Sequence, residues 1–299
     1  MRVAYAGVAH SHPFVDAANL RARGALAVGV WDADDGGRRR EFAARFGAPE
    51  FARLDDLLAR HPDVVVATPR TPRAADVAEA CARAGVPAFF NKTIAADEAG
   101  LDRWRSLPPA PRFTSSVLRF SPALKAFAAA LVGRRLRAVE VHAQHDIAAF
   151  LEGDRRWQDD PAGAGGTLVN IGIHAWELLD VLVPGATVDV MSAARVIGDV
   201  PTSSELRATV HARAGELPVT ATVSGVAGAD RYAVRVWTDD GIRGLVLPDD
   251  LDGLGYDATA DAVVRLADGF VAVDAARTAA VYGNALAAAR AARDREAPR

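Results

Sequence analysis

Apolar residues fall in two different rhythms along this chain. Over the first 118 residues, short runs that are almost wholly apolar alternate with stretches of three- and four-residue spacing. Residues 3–6, 27–31, 64–67 and 86–91 predict strands; 14–23, 38–46 and 73–84 predict helices, the last stopped at Gly85. Strands joined through helices by short connections predict a parallel, doubly wound α/β sheet. Further on, the rhythm becomes period-two alternation, and residues 136–142, 187–196, 205–213, 219–224, 232–237 and 243–247 predict further strands. Turn signals join them, including Thr238-Asp239-Asp240-Gly241, a hairpin sequence. The expectation is an open, mostly antiparallel sheet with one inserted helix near 166–183 and an alanine-rich closing helix over 273–293. The predicted division is a parallel-sheet domain over residues 1–118 and an α+β domain with flanking helices over 119–299.

Composition narrows the class. The 299 residues are 50% apolar and 24% charged, ordinary globular values, and suffice for a sizeable core. A net charge of −3 gives no reason to expect nucleic acid or an anionic membrane as partner. A single cysteine, Cys81, excludes an internal disulfide framework, and its helical position predicts a buried, inert thiol. The N-terminus lacks the long apolar segment of a signal peptide, and no run approaches the roughly 20 apolar residues of a membrane span. The expectation is a cytoplasmic protein.

The first predicted strand runs into Gly7-Val8-Ala9-His10-Ser11-His12. A dinucleotide-binding turn reads G-x-G-x-x-G/A, whose glycines allow the tight turn, the approach of backbone to pyrophosphate, and close helix packing. Gly7 fits, Ala9 differs by one methyl, and His12 has to turn outward. Asp32, at the end of the second strand, is placed to accept hydrogen bonds from an adenosine ribose. That favours NAD, while Arg38 and Arg39 nearby keep NADP open. His10 and His12 also form the H-x-H pair with which zinc-dependent amidohydrolase barrels begin, giving a metal-hydrolase alternative. A (β/α)8 barrel needs helices between its strands, however, and residues 187–247 supply hairpins.

Only two of the 35 basic residues are lysines, Lys92 and Lys125. Arginine stays protonated at any working pH, whereas a desolvated ammonium can give up a proton and take it back. Lys92 ends the fourth strand; Lys125 lies on an alanine-rich helical stretch and reads as a solvated face. Gly163-Ala164-Gly165-Gly166 leads into a mainly apolar helix on which Asn170 and His174, four apart, share one face. Each group alone has an ordinary structural explanation. Together they form a constellation.

In these pieces the chain resembles the Gfo/Idh/MocA oxidoreductase family: GVAHSH after strand one, then ATPRTPRAADVAEACARAG, FFNKTIA, LRFSPALKAF and GAGGTLVNIGIH. The resemblance covers nearly the whole chain. It implies a Rossmann domain, an open-sheet substrate domain, and a nicotinamide cofactor between them. Sugars, cyclic polyols and related hydroxy compounds are the implied substrates. Family members usually carry Glu-Lys-Pro at Asn91-Lys92-Thr93, an Asp at Asn170, and a His at Arg73. Lys92 and His174 carry over directly. By this resemblance Gly7, Ala9, His10, Ser11, Asp32, Thr68, Pro69 and Lys92 contact the cofactor.

Hydride transfer from a carbinol requires loss of the hydroxyl proton and stabilisation of the developing alkoxide. His174 is the expected base, Lys92 the proton-sharing donor, and Asn170 a positioning group that cannot ionise. A neutral Asn170 predicts a pocket more positive than is usual in the family, suited to a substrate bearing a carboxylate or phosphate. Asp146, Arg156 and Trp157 are the candidate substrate contacts. Val, Thr and Ala at alternating positions of the later strands predict an apolar sheet face covered by a second copy, in a dimer or tetramer. Two alternatives stay open beside the metal hydrolase: a redox-inactive relative that binds a ligand, and one that uses NAD non-stoichiometrically.

Overall fold

Residues 1–198, 202–226 and 228–294 are described in the structure, a computed structural model. The four predicted apolar runs become strands of a parallel sheet, β1 (Arg2–Val8), β2 (Leu26–Trp31), β3 (Val64–Thr68) and β4 (Ala88–Asn91), and β5 (Arg112–Ser115), which the pattern reading leaves unassigned, adds a fifth. They lie in the order β2-β1-β3-β4-β5. Every residue of β3 is buried, as a central parallel strand covered on both faces requires. Alternate side chains enter different cores. Val3, Tyr5, Val64, Val66 and Phe89 pack with Phe14 and Phe42 of α1 (His12–Ala22) and α2 (Gly36–Phe46). Ala4, Val65, Ala67 and Phe90 face α3 (Leu54–Leu58), α4 (Ala74–Arg83) and α5 (Glu98–Arg105), the last two through Val77, Cys81, Leu101 and Trp104. Cys81 is buried, and burial pushes its thiol up to about 12.

After α6 (Pro122–Ala129) the chain builds the second sheet from β6 (Leu136–Asp146), β7 (Asp189–Val196), β8 (Arg207–Ala214), β9 (Leu217–Val226), β10 (Arg231–Thr238) and β11 (Gly241–Val246). Their order is β11-β10-β6-β9-β8-β7, and of these neighbours β6 and β9 pair parallel while the rest pair antiparallel. The predicted hairpin joins β10 to β11, with Thr238 Oγ1 donating to Gly241 O at 3.0 Å. Val139, Val141, Val210, Val219, Val223, Val234 and Val236 all point to the helical side and are buried. The expected apolar outer face is therefore corrected. Period two sends the other register outward, and those positions hold Glu140, His142, Thr209, His211, Thr220 and Arg235.

Covering the inner side are short helices α7 (Ala148–Leu151), α8 (Pro161–Ala164) and α9 (Gly166–Asn170), then α10 (Gly172–Leu182) and the long α13 (Ala275–Asp294). The inserted helix predicted over 166–183 is thus two segments that break at Ile171. Two helices that the pattern reading leaves unassigned, α11 (Leu251–Leu254) and α12 (Tyr256–Ala267), carry the chain back to the first layer. Ala260, Val263 and Leu266 complete the core beneath α1. Arg23 clamps the contact, its Nε 2.7 Å from Asp261 Oδ1 and its Nη2 2.8 Å from Asp257 Oδ1. The boundary at 118/119 therefore separates two sheets, while the first core also draws on residues 256–273.

Candidate active site

In a parallel sheet every strand ends at the same edge, so β1, β3 and β4 deliver Gly7–His10, Thr68–Arg70 and Lys92 to one rim. The turn after β1 fits tightly against the turn after β3. Gly7 has φ +93°, and a Cβ there would sit 2.3 Å from Pro69 N, which only glycine avoids. Ala9 N donates to Thr68 O at 3.2 Å. Ser11 is exposed at the start of α1 without capping it through its side chain. Around this turn His10 Nδ1, Thr68 Oγ1 and Arg70 Nε are buried without a hydrogen-bond partner. A cavity of about 420 Å³ opens beside them, lined by Asp34, Arg70, Pro72, Arg73, Trp157 and Asp160 among others.

Asp32 does not line that cavity. It is buried, and its Oδ2 accepts from Val8 N at 2.6 Å while Oδ1 accepts from Asp34 N and Asp35 N at 2.8 and 2.9 Å. Its work is to lock the loop, and the cavity's own carboxylates are Asp34, 3.4 Å from the Arg73 guanidinium, and Asp160 and Asp76. Arg38 and Arg39 are also engaged, Arg38 Nε with Val8 O at 2.8 Å and Arg39 Nε with Glu50 at 2.9 Å.

Opposite the rim, Gly165 (φ +88°) and Gly166 (φ +68°) turn the chain into α9. The break at Ile171 offers the end of α9 to Lys92. Lys92 Nζ donates to Asn170 O at 3.1 Å and to Asn170 Oδ1 at 2.9 Å, and Thr93 Oγ1 donates to the same Oδ1 at 3.3 Å. Asn170 Nδ2 donates to Gln158 O at 3.2 Å. Lys92 and Asn170 thus meet directly, and His174 follows on α10, near enough for the Lys92 charge to act on it, with its Nδ1 2.7 Å from Ser116 Oγ. The Lys92–Thr93 peptide bond is cis. Burial pulls the Lys92 amine down to about 7, helped by the Arg155 charge and opposed by Asp230 and Glu177. His174 is held well below its ordinary value, first by burial and then by Lys92, His145 and His12.

Aromatic groups close the near wall. The His10 and His12 rings meet edge to face at 4.8 Å, and His12 Nδ1 lies 2.8 Å from Tyr256 OH. His10 Nε2 lies 3.3 Å from Lys92 O. Both histidines are held well below their ordinary values, chiefly by burial. Among the described residues no group of three or more His, Cys, Asp or Glu is arranged to hold a metal, so the H-x-H pair lacks further ligands. Trp157, an expected substrate contact, stands 6.4 Å from the His10 ring with Arg70 over its face.

Two other expected contacts miss by one residue. Arg156 is exposed, and Arg155 is the neighbour whose charge reaches Lys92, His10 and His12. Arg155 Nε donates to Gln158 Oε1 at 2.5 Å, and burial with the Arg38 charge lowers it to about 10. Asp146 caps Ala148 N at 2.9 Å as a turn acceptor. The side chain that shares the inner register of Val139, Val141 and Ala143 is His145, whose Nδ1 lies 2.8 Å from Asp230 Oδ1 and 3.2 Å from Tyr232 OH. Alternation along β6 was the available signal for His145; nothing local marked Asp230, Ser116 or Tyr256.

A five-stranded parallel sheet, an open six-stranded sheet behind helices, and a cleft at the strand ends define the Gfo/Idh/MocA fold, and this chain has it. No family model and no curated protein matches the chain. Solved structures do. GenD2 from gentamicin A biosynthesis, in complex with NAD, superposes with a TM-score of 0.84 at 19% identity, covering 99% of this chain and 95% of that one. The scyllo-inositol dehydrogenase of Lactobacillus casei with bound NAD(H) and scyllo-inositol gives 0.83 at 12%, covering 99% and 97%. The UDP-N-acetylglucosamine 3-dehydrogenase GnnA of Acidithiobacillus ferrooxidans gives 0.74 at 21%, covering 98% of each.

Proposed function

We propose that the protein is an oxidoreductase that moves a hydride between a nicotinamide cofactor and the carbinol or carbonyl carbon of a sugar, cyclic polyol or related hydroxy compound. The observation that carries this reading is the meeting of Lys92, Asn170 and His174 at the strand-end rim, directly across from the Gly7 turn. The structures sharing this fold include GenD2 in complex with NAD and a scyllo-inositol dehydrogenase with bound NAD(H), which supports the same chemistry here.

The residues present suit a dinucleotide. The Gly7–Pro69 contact forms a backbone cradle that a side chain would fill, and the orphaned polar atoms of His10, Thr68 and Arg70 face the same region. The main chain at Ser11 would take the pyrophosphate, and the cavity beside Asp34, Arg70 and Trp157 the adenosine. The Asp34 carboxylate repels a 2′-phosphate, so NAD is favoured over NADP. The cofactor supplies hydride acceptance and return. Lys92 keeps its third N–H for the reacting oxygen, because two are given to Asn170. When His174 Nδ1–H donates to Ser116 Oγ, its Nε2 is left to accept from the substrate hydroxyl.

A second reading, a relative that binds ligand without redox turnover, is favoured by the uncharged Asn170. Calorimetric titration of NAD⁺, NADH, NADP⁺ and NADPH decides between them. Micromolar binding of the NAD pair is expected; if folded, empty protein binds none of the four, the oxidoreductase reading falls. The assembly belonging to this reading is a dimer or tetramer through the second sheet, whose largely polar outer register also exposes Ile242 and Val246 on β11. Sedimentation velocity giving a monomer at micromolar concentration would remove that part alone.

A further inference from the structure

The constellation described so far contains no base that is paired with a carboxylate. Asn170 cannot ionise. Lys92, as the ammonium that meets the reacting oxygen, gives its other two N–H groups to Asn170. A protonated His174 would be a buried cation near Lys92 with no carboxylate in contact with its ring, since Nδ1 meets only the Ser116 hydroxyl. Yet oxidation of a carbinol must release one proton for each hydride removed.

One imidazole in the cleft is backed by a carboxylate. His145 ends β6 in the register that faces the helices, and its Nδ1 lies 2.8 Å from Asp230 Oδ1. Asp230 is itself fixed by Asp146 N, which donates to Oδ1 at 2.8 Å. Burial works to raise Asp230, and the bond and charge of His145 with the Asp146 amide outweigh it, so the carboxylate is held ionised. An ionised carboxylate on one ring nitrogen orients the imidazole and stabilises the imidazolium formed at the other. The His145 side chain keeps 21% exposure, so it exchanges protons with water, whereas His174 is sealed. The two rings lie 6.2 Å apart between centroids, which leaves room for one oxygen making a hydrogen bond of about 2.8 Å to each.

We infer that His145, held by Asp230, receives the substrate's hydroxyl proton. This rests on the oxidoreductase reading above. As the carbinol is oxidised, the O–H bond breaks and its proton forms an N–H bond at His145 Nε2. The C–H electron pair leaves as hydride for oxidised nicotinamide dinucleotide, and the carbon–oxygen double bond forms. His174, in the tautomer whose Nδ1 accepts from Ser116 Oγ and whose Nε2 carries the hydrogen, and Lys92 both donate to the oxygen while its charge changes. The imidazolium then passes its proton to water, and reduction runs the same path backwards. The groups that face His145 are Asp230 from the residue before β10, Tyr232 from β10 and His174 from α10, with Phe150 against its other side; Lys92 and His12 add charge from across the cleft.

The test follows NAD⁺ reduction with myo-inositol, scyllo-inositol, D-galactose and D-glucuronate from pH 5.5 to 9, in wild type, His145→Gln, Asp230→Asn and Asp230→Glu. With the compound that wild type oxidises, His145→Gln and Asp230→Asn are expected to lower kcat roughly 100-fold, within the range for loss of a general base. KM should stay within a few-fold, and Asp230→Glu should recover part of the loss. Unchanged kcat and pH profile in His145→Gln overturns the inference and leaves the oxidoreductase reading standing. Wild type that oxidises none of the four overturns both. NADH titration into the same variants separates a structural effect: an affinity loss matching the loss of kcat also overturns the inference.

Discussion

Lys92 is the residue on which most of the proposed chemistry turns, and the scarcity of lysine makes it measurable. With an amine lowered to about 7, Lys92 should react with a trinitrobenzenesulfonate-type reagent along a titration centred near pH 7, once local opening admits the reagent. Lys125, the other lysine, serves as the internal reference. Asn170→Asp places a charge where Oδ1 now stands 2.9 Å from Nζ, and should raise the Lys92 midpoint by at least one unit. A midpoint that stays put would show that Asn170 does not set it. Asp16 offers a test of opposite sign. It is buried, neither carboxyl oxygen has a hydrogen-bond partner, and burial lifts it to about 8 against the Asn91 amide beside it. A carboxyl raised in the folded state contributes stability below its unfolded value, and that stability is lost as pH rises towards 8. Asp16→Asn should therefore match wild type near pH 4 and exceed it by roughly 1–3 kcal/mol at pH 8 in urea unfolding. At this scale the sequence named Lys92 by the scarcity of lysine, Asn170 and His174 by their helical spacing together with the family resemblance, and Trp157 by the resemblance. It chose Asp146 over His145 because the strand predicted from the period-two pattern of β6 stops at His142, and Arg156 over Arg155 because the turn that holds them has no period from which to read direction.

At the scale of elements, the glycine break is the least replaceable piece. Gly165 has φ +88°, and a Cβ there would lie 2.4 Å from Val169 Cβ. Gly165→Ala should cost about 1–3 kcal/mol in chemical denaturation through strain and displacement of α9. It should also lower NADH-dependent turnover, because α9 carries the two oxygens that hold Lys92. Full stability in this variant would mean that the turn adapts. Strands were legible here because burial on both faces leaves bare apolar runs and burial on one leaves alternation. The outer face was misjudged for a related reason: the valines mark a buried register, and they say nothing of the register between them. Helix α12 was missed although Tyr256, Ala260, Val263 and Leu266 are helically spaced, since the Asp- and Gly-rich lead-in at 249–255 reads as loop.

For the whole molecule, the decisive contacts come from far along the chain. Tyr256, at the start of α12, reaches the β1–α1 turn through His12 Nδ1 at 2.8 Å and stacks on that ring at 5.4 Å. Tyr256→Phe should keep the stack, lose the hydrogen bond, and weaken NADH about fivefold, equivalent to about 1 kcal/mol. Calorimetry with unchanged affinity would place Tyr256 outside the cofactor's reach. Such a pairing, 244 residues apart, lies beyond any pattern reading. The same return crossing also bears on how the chain is made. Until α12 and Val273 have left the ribosome, the α1 side of the first sheet lacks Ala260, Val263, Leu266 and Val273, and Arg23 lacks both its carboxylates. The dinucleotide layer is therefore first to be synthesised and among the last to be finished, with an apolar surface waiting through nearly the whole of translation.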